Sequence, residues 1–223
     1  MELKLPIMIV NFKAYEQAIG QNAVNLAKIC EKVANETGKS IAVAVQDADM
    51  YRVSQSVNIP VFAQHLEPIS FGSHTGHDIP EDIKESGAVG TLINHSENRM
   101  QIDQIEEAIK KSKELEIVSV VCANDPDTAK AIASFNPEII AVEPPELIGG
   151  DVSVSTAKPE VVSNSVAKVH EIAQIPVLCG AGVNSKEDVA KALELGSQGV
   201  LVASAIAKSK DPEPVIRAMV EPF

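Results

Sequence analysis

Eight short apolar runs, at 7–10, 41–45, 60–63, 89–93, 117–122, 139–142, 175–179 and 200–203, constrain this chain more than any other feature. Most are apolar throughout and do not alternate with polar residues, which is the pattern of strands covered on both faces. Spread over 223 residues, they leave about 28 residues per unit, enough for one strand and one crossover helix. No linker or low-complexity stretch interrupts the series. The pattern predicts one α/β domain over 1–223, a parallel eight-stranded barrel surrounded by helices.

The stretches between the runs carry helix punctuation. Asp125 can cap a helix whose first residue is Pro126, and Asp211-Pro212 repeats the device. Ser185 with Asp188 has the spacing of a capping box. Ile102, Ile105, Ala108, Ile109 and Leu115 fall on one helical face, with Glu106 and Glu107 placed four residues before Lys110 and Lys111 on a solvated one.

The strand ends are more informative still. The first run closes on Asn11, Phe12 and Lys13, the third on Gln64 and His65, and the fourth on Asn94 and His95. The sixth ends abruptly on Glu143, the seventh on Gly180, Ala181 and Gly182, and the eighth on Ser204. In a parallel barrel all C-terminal strand ends open on one face, so these polar residues converge on one mouth. A doubly wound open sheet is the competing fold, but Asn-Phe-Lys stands where that fold would carry Gly-x-Gly-x-x-Gly. After Glu143, Pro144 and Pro145 stiffen the chain and Gly149 and Gly150 free it, as in a rigid-tipped flap beside an acid/base group.

Composition excludes several function classes. The formal charge of −12, from 19 Lys and Arg against 31 Asp and Glu, provides no basic face for nucleic acid. Aromatic residues make up 3% of the chain, too few for a base-stacking platform. No apolar run approaches the ~18 residues of a membrane span. Cys30, Cys122 and Cys179 are odd in number and widely spaced, and no secretory signal precedes Pro6, so a reduced cytoplasm is expected. An anionic substrate would have to be held by local donors against the overall charge.

Five motifs in register resemble the triosephosphate isomerase family: Asn11-Phe12-Lys13, Asn94-His95-Ser96-Glu97, Val142-Glu143-Pro144 running to Ile148-Gly149, Cys179-Gly180-Ala181-Gly182-Val183, and Leu201-Val202-Ala203-Ser204-Ala205. They cover almost the whole chain. Its shortness and the segment Gly72-Ser73-His74-Thr75-Gly76-His77 resemble the compact archaeal form. The resemblance implies a (β/α)8 TIM barrel that interconverts D-glyceraldehyde 3-phosphate and dihydroxyacetone phosphate, in glycolysis and gluconeogenesis, without a cofactor or metal.

It also implies residue roles. Glu143 is the base that moves a proton between adjacent carbons, His95 polarises the carbonyl, and Asn11 and Lys13 position substrate and stabilise negative charge. Glu97 is a supporting acid, oriented by Ser96 or paired with Lys13. The substrate-binding set is Asn11, Phe12, Lys13, Ile148, Gly149, Gly182, Ala203 and Ser204, the last four meeting the phosphate through backbone amides. The residues themselves fit these roles. Ser96 to Arg99 reads as a helix start, whose dipole would disfavour an imidazolium and keep His95 neutral. The pairing of a glutamate base with a neutral histidine is the known mechanism of this family and is taken over from it. Ala203-Ser204 stands for the family's usual Gly-Gly, which backbone binding tolerates, and Pro145-Glu146-Leu147 stands for its usual Trp-bearing hinge.

His74, His77 and Asp78 have metal-like spacing, but no matching ligand pair lies nearby, and the segment matches the family's protruding third loop. In that family the loop docks into a neighbouring subunit, which implies a homodimer or a homotetramer built as a dimer of dimers. Two other functions compete: a lyase or synthase using the same phosphate cradle, and a metabolite-binding barrel without catalysis.

Overall fold

The structure, a computed structural model, describes residues 3–144 and 153–223. Eight parallel strands close into a barrel in sequence order. They are β1 (Ile7–Asn11), β2 (Ser40–Val45), β3 (Val61–Ala63), β4 (Gly90–Ile93), β5 (Val118–Ala123), β6 (Ile139–Val142), β7 (Val177–Cys179) and β8 (Gly199–Val202). All eight apolar runs thus become strands, with ends shifted by a residue or two.

The helices are α1 (Gln21–Thr37), α2 (Asp47–Ser54), α3 (Pro80–Glu85), α4 (Ile102–Glu114), α5 (Pro126–Ala133), α6 (Val154–Ala157), α7 (Pro159–His170), α8 (Lys186–Glu194), α9 (Ser204–Ala207) and α10 (Pro212–Val220). At the N-terminus of α5 the Asp125 carboxylate accepts from the amides of Asp127 and Thr128 at 2.9 and 2.8 Å, a cap typically contributing about 1 kcal/mol. The Ser185 and Asp188 box forms at α8, whereas Asp211 precedes α10 without a side-chain cap. Asp188 does more, since its second oxygen accepts from Thr156 Oγ1 at 3.1 Å and ties α6 to α8. On α4, Ile105, Ala108 and Ile109 are buried as the spacing predicts, but Ile102 at its first turn is 55% exposed.

The unbroken apolar character of the strands has a simple cause. Ile7, Ile9, Ala42, Ala44, Leu92, Val120, Cys122, Ala141, Leu178 and Leu201 fill the barrel interior around Phe62, while the alternate residues, such as Met8, Val10 and Val43, pack outward against the helices. Neither face of a strand meets water. The one large interior ring needs room, and Gly90 supplies it: a Cβ there would lie 2.2 Å from the Phe62 ring. At the closing seam Gly199 has φ +142°, and a Cβ would meet the Ile7 carbonyl at 2.0 Å, so the β8 to β1 pairing depends on glycine.

Candidate active site at the C-terminal mouth

Two residues in the sparsely populated left-handed region, Lys13 (φ 49°) and Asn94 (φ 59°), shape the mouth. A conformation of this kind costs on the order of 1 kcal/mol and must be held by its surroundings. Lys13 is held on both sides. Its amide donates to Asn11 Oδ1 at 3.0 Å, and its carbonyl accepts from Gln64 Nε2 at 3.1 Å, with Gln46 Nε2 at 3.4 Å. Asn94 is clamped by its own amide, which donates to the Cys122 carbonyl at 3.0 Å while its oxygen accepts from the Met100 amide at 3.0 Å.

The loop that Asn94 fixes carries His95. The Glu97 amide donates to His95 Nδ1 at 3.2 Å, so in the neutral ring the proton sits on Nε2. That nitrogen lies 3.5 Å from Glu143 Oε1, a contact too long for a strong hydrogen bond. Residues 96–97 form a turn, and α4 begins only at Ile102, so the helix start expected at Ser96 is absent. The ring is oriented by one local amide instead of a helix dipole.

The Glu97 carboxylate pairs through Oε1 with Lys13 Nζ at 2.7 Å, while its Oε2 stands 3.7 Å from His95 Nδ1, beyond hydrogen-bond reach. Of the two partners expected for Glu97, Lys13 is therefore the one observed, and Ser96 does not line the cleft.

Glu143 follows β6, and its amide donates to the Ala123 carbonyl at 2.7 Å. Its side chain is 4% exposed, and Oε2 is buried with no hydrogen-bond partner among the described residues. Gly180 makes the position available, since a Cβ there would stand 2.5 Å from Glu143 Cγ. Cys122 lies beneath; burial and then the adjacent Glu143 charge push its thiol well above the usual range. Burial also pushes Cys30 and Cys179 up to about 12, so the thiols are poor nucleophiles.

The cleft, about 400 Å³ and open to solvent, brings Asn11, Lys13, His95, Glu143, Gly182, Ala203 and Ser204 together, and adds Tyr15, Gly180, Val183 and Asn184. Asn184 Nδ2 donates to the Gly182 carbonyl at 2.8 Å and sets the loop after β7. Phe12 is apart from this group. Its side chain is fully buried between β1 and the helices and does not line the cleft. Ile148 and Gly149, with the hinge Pro145-Glu146-Leu147, lie outside the described residues.

A second hollow adjoins the first past Lys13 and Glu97 and is lined by Gln46, Asp47, Gln64, His65 and Asn98. Residues 70–78 project next to it, all exposed, with Phe71 at 77%. His77 there bonds Glu67 through Nδ1 at 2.9 Å, and its ring stands 6.2 Å from that of His74. Among the described residues no group of three or more His, Cys, Asp or Glu is arranged to hold a metal ion. No helix of the described residues is long and apolar enough to cross a membrane.

Known proteins resemble this chain in sequence and in fold. The sequence profile of the family described as triosephosphate isomerase matches residues 6–220. A triosephosphate isomerase of Methanobacterium bryantii is 49% identical over 216 residues, covering 96% of each chain. That of Methanocaldococcus jannaschii is also 49% identical, covering 96% of this chain and 99% of its own. The crystal structure of triosephosphate isomerase from Bartonella henselae superposes with a TM-score of 0.73 over 91% of this chain and 93% of its own, at 19% identity, a likeness of fold. Match to the family profile along nearly the whole barrel, and near-half identity to full-length relatives, establish that this chain belongs to the triosephosphate isomerase family.

Proposed function

We propose that the chain interconverts D-glyceraldehyde 3-phosphate and dihydroxyacetone phosphate by proton transfer through an enediolate. The observation that carries this reading is the pairing of Glu143, a carboxylate only 4% exposed, with the Nε2 edge of His95 3.5 Å from its Oε1. A carbonyl compound lying against both has an acceptor for its carbon-bound proton in the carboxylate and a donor for its oxygen in the ring. Glu143 takes the proton from one carbon, the carbonyl π electrons move onto oxygen, and Nε2–H stabilises the charge. The hydroxyl proton on the adjacent carbon passes to the first oxygen by way of the His95 Nε2 edge, the adjacent C–O becomes the carbonyl, and the carboxylic acid returns its proton to the adjacent carbon, so no electron carrier or second reactant enters.

Lys13 and Asn11 sit beside this pair and supply positive charge and a hydrogen-bonding edge. Gly182, Ala203 and Ser204 border the opposite side of the cleft, where the phosphate group would meet backbone amides, together with Ile148 and Gly149. Closing a barrel from β1 to β8 needs the whole chain, which supports reading 1–223 as one domain. The exposed 70–78 segment beside a polar hollow favours self-association as a dimer or a dimer of dimers. We place the enzyme in the cytoplasm, in glycolysis and gluconeogenesis, with a small-molecule substrate and neither nucleic acid nor membrane as a partner.

The test is turnover of glyceraldehyde 3-phosphate with no added cofactor, in deuterium oxide. Isomerisation with deuterium appearing on the substrate carbon is expected. Binding of a phosphate ligand with neither turnover nor exchange would mark a metabolite-binding barrel, and carbon–carbon cleavage would mark a lyase.

A further inference from the structure

A second lysine, outside the residues that line the cleft, stands over one of them, and the chemistry above does not use it. Lys208 ends the short segment that begins with Ala203 and Ser204 in the cleft wall, and its Nζ stands 4.4 Å from the centroid of the Tyr15 ring, itself part of that wall. A lysine over an aromatic face is held by attraction to the ring while its charge stays in water. The two cations at the mouth differ in what opposes them. Lys13 is committed to Glu97 at 2.7 Å, whereas Lys208 pairs with no carboxylate among the described residues. It is exposed, and Glu97 lines the adjoining hollow and not the cleft wall that holds Tyr15.

The substrate class makes this asymmetry matter. A phosphate monoester approaches as a dianion, toward a chain whose formal charge is −12. Repulsion at long range must be offset near the cleft, and an uncompensated cation at its lip raises the local concentration of anions. We propose that Lys208, posted on the Tyr15 ring, recruits the phosphate dianion to the Ala203 and Ser204 side of the cleft. Its effect falls on capture of substrate and not on the proton transfers at Glu143. The inference rests on the isomerase reading, which fails separately if the unmodified protein does not turn over.

Steady-state kinetics of Lys208→Gln at two ionic strengths test it, with Lys210→Gln as a control that changes net charge equally from the neighbouring exposed surface. At about 10 mM ionic strength Lys208→Gln should lower kcat/KM roughly 3- to 10-fold with kcat unchanged. The deficit should shrink toward unity above about 0.3 M, where the Debye length falls below the span of the cleft. Inhibition by inorganic phosphate should weaken in parallel. Lys208→Arg should retain the unmodified values, and Tyr15→Leu should reproduce part of the low-salt loss because the ammonium is no longer held at the lip. Equal kcat/KM values and equal salt slopes for Lys208→Gln and Lys210→Gln would overturn the proposal, as would a loss confined to kcat.

Discussion

The backbone amide of Glu97 donates to Nδ1 of His95 at 3.2 Å, so the tautomer of the ring is set by main chain two residues away. The Glu97 side chain bonds Lys13 through Oε1 at 2.7 Å, and its Oε2 stands 3.7 Å from the same His95 nitrogen, beyond hydrogen-bond reach. The two contacts are separable. Glu97→Ala should leave the Nε2–H tautomer in place, seen as unchanged nitrogen chemical shifts for His95, while turnover falls roughly tenfold as Lys13 loses its anchor. A change of tautomer in that variant would show that the carboxylate, and not the amide, orients the ring.

Gly180 offers a sharper steric test. Its added Cβ would stand 2.5 Å from Glu143 Cγ and 3.1 Å from Oε1, and φ at this residue raises no objection to alanine. The carboxylate must move, and a displacement near 1 Å can cost about a hundredfold in rate. Gly180→Ala should therefore lower kcat by one to two orders of magnitude while binding of inorganic phosphate changes little. Equal losses in turnover and phosphate binding would indicate collapse of the loop after β7.

Asp47 predicts a pH dependence of stability. Its Oδ1 is buried without a partner, and burial, then the charges of Asp78 and Glu67, raise the carboxyl from 3.8 to about 6. A raised acid favours the protonated folded state. Between about pH 3.8 and 6 the unfolded chain has lost this proton and the folded chain has kept it, so stability falls as pH rises through that window. Above it the penalty is complete. Asp47→Asn should gain about 1 to 2 kcal/mol at pH 8, discounted for partial solvation, and nothing at pH 4. Denaturant unfolding of both proteins at the two pH values measures the difference. An equal effect at both would assign it to packing.

The barrel was legible because both faces of every strand are dry, which leaves an unbroken apolar run in the sequence. The site was legible as residue types at strand ends, not as orientations. Phe12 shows the difference: Ile7, Ile9 and Asn11 share the inward face of β1, so the alternation that aims Asn11 at the cleft sends Phe12 into the helix layer. The turn at 96–97 was hidden for another reason. Ser-Glu-Asn-Arg suits a helix start or a turn equally, and the choice is made by Asn94, whose left-handed backbone and two side-chain bonds redirect the chain. Gln46 and Gln64, just after β2 and β3, pin Lys13 from across the mouth; Gln64 was legible as a polar strand end, but neither bond to Lys13 leaves a local signature.

The base itself supports the most direct prediction. Glu143 must reach the carbon acid, so Glu143→Asp keeps the charge but retracts the carboxylate by about 1 Å, at a cost on the order of a hundredfold in turnover. Glu143→Gln should cost more, because it removes the basic lone pair while nearly preserving shape. The amide would also sit where Oε1 stands 3.5 Å from the proton-bearing edge of His95, and its NH2 group cannot accept there. Phosphate binding should change far less than turnover in both variants, because Gly182, Ala203 and Ser204 border the cleft on separate elements from β6. Turnover and phosphate affinity measured for Glu143→Asp, Glu143→Gln and Glu97→Gln decide the assignment. Near-normal turnover in Glu143→Gln with abolished turnover in Glu97→Gln would move the base to Glu97, the more exposed carboxylate at 56% against 4%.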